Sequence, residues 1–183
     1  MGTIKTTNIE PIADNGTVTL GSSGDTFTLG SGVVQSNLMY PAFEATISAN
    51  QNITDSSNSK VNFNSENFDT DSCYDHTTNY RFTPNKAGKY YVYSNLFLDS
   101  DGGEDIDRIF AMIYKNGSTT VQSGFRQEHD FVFKSQPIRA IIDMNGSSDY
   151  LEMYAFVNTV SGTPFVRTDT FNDTIFGAYR IGS

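Results

Sequence analysis

Three observations predict an all-β fold for this chain, an antiparallel sandwich or barrel. Aromatic residues make up 13% of it, with 14 Phe, 10 Tyr and no Trp, and Phe, Tyr and β-branched residues suit a pleated, half-buried surface better than a helix. From Tyr40 onward short apolar runs recur with turn residues between them, at roughly the spacing expected of a sandwich or barrel. No stretch shows the apolar periodicity of an amphipathic helix longer than two turns.

Residues 1–37 differ from the rest of the chain. They are rich in Gly, Ser and Thr and contain a short repeat, since GTVTLGS (Gly16–Ser22) returns as DTFTLGS (Asp25–Ser31) nine residues on. Each unit reads as a short alternating strand with a turn between the two. Their apolar cargo is Val18, Leu20, Phe27 and Leu29, too little for an independent fold. The segment is either a flexible linker, or an anchor whose four apolar side chains are buried by copies of the chain or by a partner.

Residues 38–183 read as strand after strand. Phe43–Ile47 alternates, Val61 and Phe63 alternate, and Asn64–Asp75 is a polar excursion carrying Phe68 and Tyr74. Pro84–Gly88 is a turn signature. The strand after it has no wet face: Tyr90, Val92, Leu96 and Leu98 take one side, Tyr91, Tyr93 and Phe97 the other. Either other subunits cover that second face, or a loop or short helix of the same chain does. Arg108–Phe125 reads as a hairpin turning at Asn116-Gly117, and Pro137–Val157 as another turning at Asn145-Gly146. Thr174–Ile181 is a closing strand.

Twelve Lys and Arg against 21 Asp and Glu leave a net charge of −9. The scattered basic residues argue against a nucleic-acid partner. No run approaches the roughly 18 apolar residues that cross a bilayer, and the start of the chain is no secretory signal. The single cysteine, Cys73, excludes an intrachain disulfide; acidic neighbours should raise its pKa. The two histidines, His76 and His129, lie in polar stretches and are expected to be solvated.

Nothing in the sequence selects a catalytic set. There is no nucleophile elbow, phosphate loop or dinucleotide fingerprint, and no pair among the 21 acids is singled out for glycoside chemistry. The one constellation with metal chemistry is DSDGGEDID, where Asp99, Asp101, Glu104, Asp105 and Asp107 flank Gly102-Gly103. It is either a calcium loop, since calcium takes six to eight hard oxygens, or a solvated acidic connection between strands.

Several of these residues match a known pattern. Pro41-Ala42-Phe43 with Ala45, Lys60-Val61-x-Phe63, Phe68-Asp69 and Tyr74-Asp75 come in order, followed by Arg81-Phe82-Thr83-Pro84 and Ala87-Gly88-x-Tyr90. Lys115-Asn116-Gly117, Asp149-Tyr150-Leu151 and Phe176-Gly177 complete the series. In this order and spacing, Pro41 to Ile181 resembles the tumour-necrosis-factor/complement-C1q jelly roll; it departs in having Ser148 before the late Asp, and in Arg126–Ile138, which has no counterpart. The resemblance implies a homotrimeric antiparallel β-sandwich; with no catalytic set in the sequence, the protein is expected not to be an enzyme. The resemblance also places Tyr91, Tyr93, Phe97, Ile175 and Phe176 at the threefold interface, and some members bind calcium in loops. Thr19–Gly32 is similar to segments of bacteriophage tail and capsid-appendage proteins.

Together these imply a phage virion protein, a tail-fibre knob or capsid decoration made in the host cytoplasm. Its N-terminal segment would hold other virion proteins, and its loops Asn50–Lys60 and Ser161–Thr170 would contact a host surface glycan or protein. The alternatives are a bacterial cell- or spore-surface adhesin of the same fold, and a carbohydrate-active enzyme on a jelly roll.

Overall fold

Two Asn-Gly dipeptides punctuate the second half of the chain, and they do different things. Asn116 and Gly117 have φ of 53° and 78°, the paired positive values of a primed two-residue turn, so the flanking segments form the expected hairpin. At Asn145 the side chain instead turns back on its own backbone. Its Oδ1 accepts hydrogen bonds from the backbone N–H groups of Ser147, Ser148 and Asp149. This Asx arrangement carries the chain out of one sheet and into another, so the second expected hairpin does not form.

The computed structural model describes residues 9, 18–19, 21–26, 28, 31, 39–102, 106–168 and 174–182, the side chains of 127–131 apart. The chain divides into two units, Met1–Ser36 and Asn37–Ser183. In the first, Asp25 N–H donates to Ser22 O at 3.0 Å, and Gly24 has φ +93°. A turn therefore separates the two sequence repeats, with glycine where a positive φ is required.

The second unit comprises β1 (Ala42–Thr46), β2 (Gln51–Asn52), β3 (Ser59–Lys60), β4 (Ser65–Asp69), β5 (Tyr74–Asp75), β6 (Arg81–Phe82) and β7 (Ala87–Ser100). These are followed by β8 (Ile106–Lys115), β9 (Ser118–Phe131), β10 (Phe133–Asn145), β11 (Leu151–Thr159), β12 (Pro164–Arg167) and β13 (Ile175–Gly182). All pairings are antiparallel and there is no helix among the described residues. The first sheet runs β2-β12-β7-β13-β1-β4, with β10 also on β7; the second runs β5-β6-β11-β8-β9, with β3 on β11. Arg126–Ile138, which had no counterpart in the resembled pattern, supplies the end of β9 and the start of β10. The backbone of His129 accordingly lies in a strand and not in a loop.

Strand β7 is the spine of the first sheet. One edge is taken along its length by β10; the other is shared end to end by β13 and β12. Thr174 covers the join: its hydroxyl accepts from Phe97 N–H at 3.0 Å and donates to Arg167 O at 2.6 Å. The inward faces of the two sheets make an aromatic core. Phe43 stacks on Tyr74 and Phe82, each with centroids 4.5 Å away, and meets Phe176 edge-on at 5.0 Å. The polar ends of the buried tyrosines are satisfied, Tyr74 donating to Phe63 O and Tyr90 to Lys86 O.

Replacing Phe43 with Ala should lower stability by about 3–5 kcal/mol in denaturant titrations. Phe68→Ala on β4, where the side chain is 47% exposed, should shift it by no more than about 0.5 kcal/mol.

Candidate functional site

Alternation along β7 separates its side chains cleanly. Tyr90, Val92, Leu96 and Leu98 are fully buried between the sheets, as expected, while Tyr91, Tyr93 and Phe97 face outward and are half-buried. Cross-strand register builds a continuous outer face around them. Tyr91 lies opposite Tyr179 and Ile141, Tyr93 opposite Gly177 and Arg139, and Asn95 opposite Ile175 and Pro137. Ring centroids of Tyr91 and Tyr179 are 5.4 Å apart, those of Tyr91 and Tyr93 6.1 Å.

Gly177 explains how Tyr93 lies so low. A Cβ built there would sit 2.4 Å from the Tyr93 Cζ, so only glycine lets the ring rest on the sheet. In that position the Tyr93 hydroxyl donates to Glu44 Oε2 at 2.7 Å, while Asn67 donates to Glu44 Oε1 at 2.9 Å. The face ends in a second aromatic group. Phe97 stacks on Phe133 at 5.2 Å, and the Arg167 guanidinium lies 4.9 Å from the Phe97 ring centre while pairing with Asp99 at 3.1 Å. Ile141 and Phe133 are large apolar side chains with 61% and 51% of their surface exposed, Phe133 keeping that exposure although one side of its ring meets Phe97. This contiguous face is the candidate interaction surface of the chain.

The structure thus brings Tyr91, Tyr93, Phe97 and Ile175 together on this face. Phe176 is a correction: one position on from Ile175, it points the other way, is fully buried, and packs on Phe43 and Phe63. Tyr179, Ile141 and Phe133 escaped the sequence reading, although the period of two in Ile175–Ile181 places Tyr179 beside Ile175. Of the anchoring residues, Val18 is exposed, whereas Leu20, Phe27 and Leu29 lie outside the described residues.

The acidic segment is dispersed. Asp99 pairs with Arg167, Asp101 accepts from Thr163 N–H, and Asp107 lies 3.3 Å from Arg126 Nε. Glu104 and Asp105 lie outside the described residues, and no three His, Cys, Asp or Glu side chains are grouped to hold a metal ion among the described ones. His76 is not simply solvated, since its Nδ1 is 2.6 Å from Glu66 Oε1. The Cys73 pKa is raised, chiefly by burial and only secondarily by Asp69 and Asp71.

The two segments predicted to contact a receptor as loops are in part strands, Gln51–Asn52 (β2) pairing with Pro164–Arg167 (β12) at the edge of the first sheet. Thr168 N–H donates to Asn50 Oδ1, Ile53 N–H to Pro164 O, and Thr159 N–H to Asp55 Oδ1.

No family model matches the chain, and no curated protein matches it. Its fold is that of the tumour-necrosis-factor-like jelly rolls. The Eiger TNF of S. frugiperda superposes with a TM-score of 0.54 at 13% identity, covering 79% of this chain and 94% of that one. Murine APRIL at pH 5.0 gives 0.55 at 9% identity, covering 76% and 98% respectively. At such identities the likeness establishes the fold alone.

Burial holds the phenol of Tyr93 well above the usual tyrosine pKa, with the Glu44 hydrogen bond and charge adding to it. Burial likewise raises Tyr74 and pushes Tyr90 up to about 12. The unfolded chain releases these protons near pH ~10, whereas the native chain keeps them, so their contribution to stability is complete below that pH and declines as pH rises beyond it. Denaturant titrations between pH 8 and 11 should show this fall, and Tyr93→Phe should make it less steep.

Proposed function

We propose that this chain is a non-enzymatic, homotrimeric jelly-roll knob of a bacteriophage virion appendage, attached to the particle through residues 1–37. The observation that carries the self-association is the uncovered aromatic face built on Tyr91, Tyr93 and Tyr179. Burying such side chains contributes about 1.5–3 kcal/mol each, and in a threefold ring every copy turns the same face toward the axis. The tumour-necrosis-factor-like fold favours three copies around an axis. The virion assignment rests on the Gly/Ser/Thr-rich repeat of the N-terminal segment and its similarity to phage appendage proteins.

Light scattering on the purified chain should give three times the 20.2 kDa subunit mass. Tyr93→Glu should release monomers that retain the β-rich circular dichroism of the parent. A wild-type protein that runs as a monomer at micromolar concentration overturns the assembly. Immunogold labelling of phage particles tests the location: label on cell or spore surfaces and none on virions selects the adhesin reading instead.

A further inference from the structure

The second sheet also presents aromatic side chains on its outer face, and the trimer reading leaves that face open. Along β8 and β11, Ile109, Ala111, Met153 and Ala155 point inward and are fully buried. Phe110, Tyr114, Tyr154 and Phe156 point outward and are half-buried. Phe110 and Phe156 are directly opposed, with centroids 5.5 Å apart; those of Tyr114 and Tyr154 are 4.0 Å apart. Phe110 lies flat across Gly124 on β9, where a Cβ would come within 2.1 Å of its ring. The ring face away from Gly124 is thereby offered as a platform.

At one end of this strip two cations share one anion. Arg108 and Arg126 are directly opposite each other on neighbouring strands, where like charges are unfavourable. Arg126 Nε is 3.3 Å from Asp107 Oδ1, while Arg108 Nε, 3.9 Å from Asp107 Oδ2, is buried with no hydrogen-bond partner. The Arg108 guanidinium lies 5.5 Å from the centre of the Phe156 ring. At the far end Lys60 and Glu152 neutralise each other at 2.6 Å, and Asn58 donates to the Tyr114 hydroxyl at 2.9 Å. In a chain of net charge −9, this local excess of guanidinium selects for an anionic ligand.

From this we infer that the outer face of the second sheet binds an acidic oligosaccharide, one of whose sugar rings stacks on Phe110 while a carboxylate bridges Arg126 and Arg108, the latter seated over Phe156. Sugar rings present flat C–H faces, which suit the electron-rich faces of aromatic rings. Strand addition by a peptide is not available at the centre of this face, because β8 lies between β11 and β9 and is paired with both. The inference deepens the host-contact part of the proposed function and rests on the first-sheet face being covered by other copies.

Isothermal titration of the full chain with oligogalacturonate tests it. Binding should weaken about tenfold with the methyl-esterified oligomer, which keeps the rings and loses the charge. Arg126→Gln, at a side chain 71% exposed and so safe for folding, should weaken it by a similar factor. Arg126→Lys should restore part of the loss, and Phe110→Leu should weaken binding of both oligomers. No binding at millimolar oligogalacturonate, equal affinity for polyglutamate of the same charge, or unchanged affinity in Arg126→Gln overturns the inference. Light scattering on the same samples keeps the two readings apart. A trimer that does not bind sinks only the ligand site, and a monomer that binds through Arg126 sinks only the assembly.

Discussion

Strand β7 is hydrogen-bonded along both edges, and that single constraint organises the molecule. A strand so placed has no free backbone to offer and only two faces to fill. The inward face meets the second sheet and completes the aromatic core around Phe43 and Phe176. The outward face inherits neighbours from β10 and β13, so Tyr91 and Tyr93 become the centre of a patch shared across the three strands. Fold and interaction surface are therefore two consequences of one pairing pattern. The length of β7 matters as well: at 14 residues it reaches beyond β13, and Thr174 with β12 takes over the remaining edge.

Much of this was legible from residues alone, for a local reason. A period of two assigns side chains to faces whatever the tertiary context, so the two-sided character of Tyr90–Leu98 could be read directly. Asn116-Gly117 was legible because both of its backbone angles are dictated by the residues present. Asn145-Gly146 was not, since Asn also forms Asx turns, and which outcome prevails depends on where Leu151 finds its partner strand. The run from β9 into β10 was invisible for a related reason. Only Val132 separates the two strands, and Arg126–Ile138 around it carries charges and neither Gly nor Asn to mark a tight turn.

The candidate site divides along the same line. Alternation was enough for Tyr91, Tyr93 and Phe97, whereas Phe176 was assigned to the wrong face. Gly177 hides the parity of its strand, because a glycine contributes no side chain to either side. Ile141 and Phe133 needed the pairing of β10 with β7, a long-range fact that no local pattern contains. The outer residues of the second sheet obey the same period, in Phe110, Met112 and Tyr114, but which of them meet across strands depends on the pairing of β8 with β11 and β9.

Both sheets place an aromatic ring flat upon a cross-strand glycine, Tyr93 on Gly177 and Phe110 on Gly124. Such a ring is wedged against backbone and has lost most of its rotameric freedom in the unbound protein. Whatever meets it, another copy or a ligand, finds the contact surface already posed and gives up little side-chain entropy on docking. Were either face to take a partner, much of the ordering cost would already have been met during folding, borne by the stability of the sandwich rather than by the affinity of the complex.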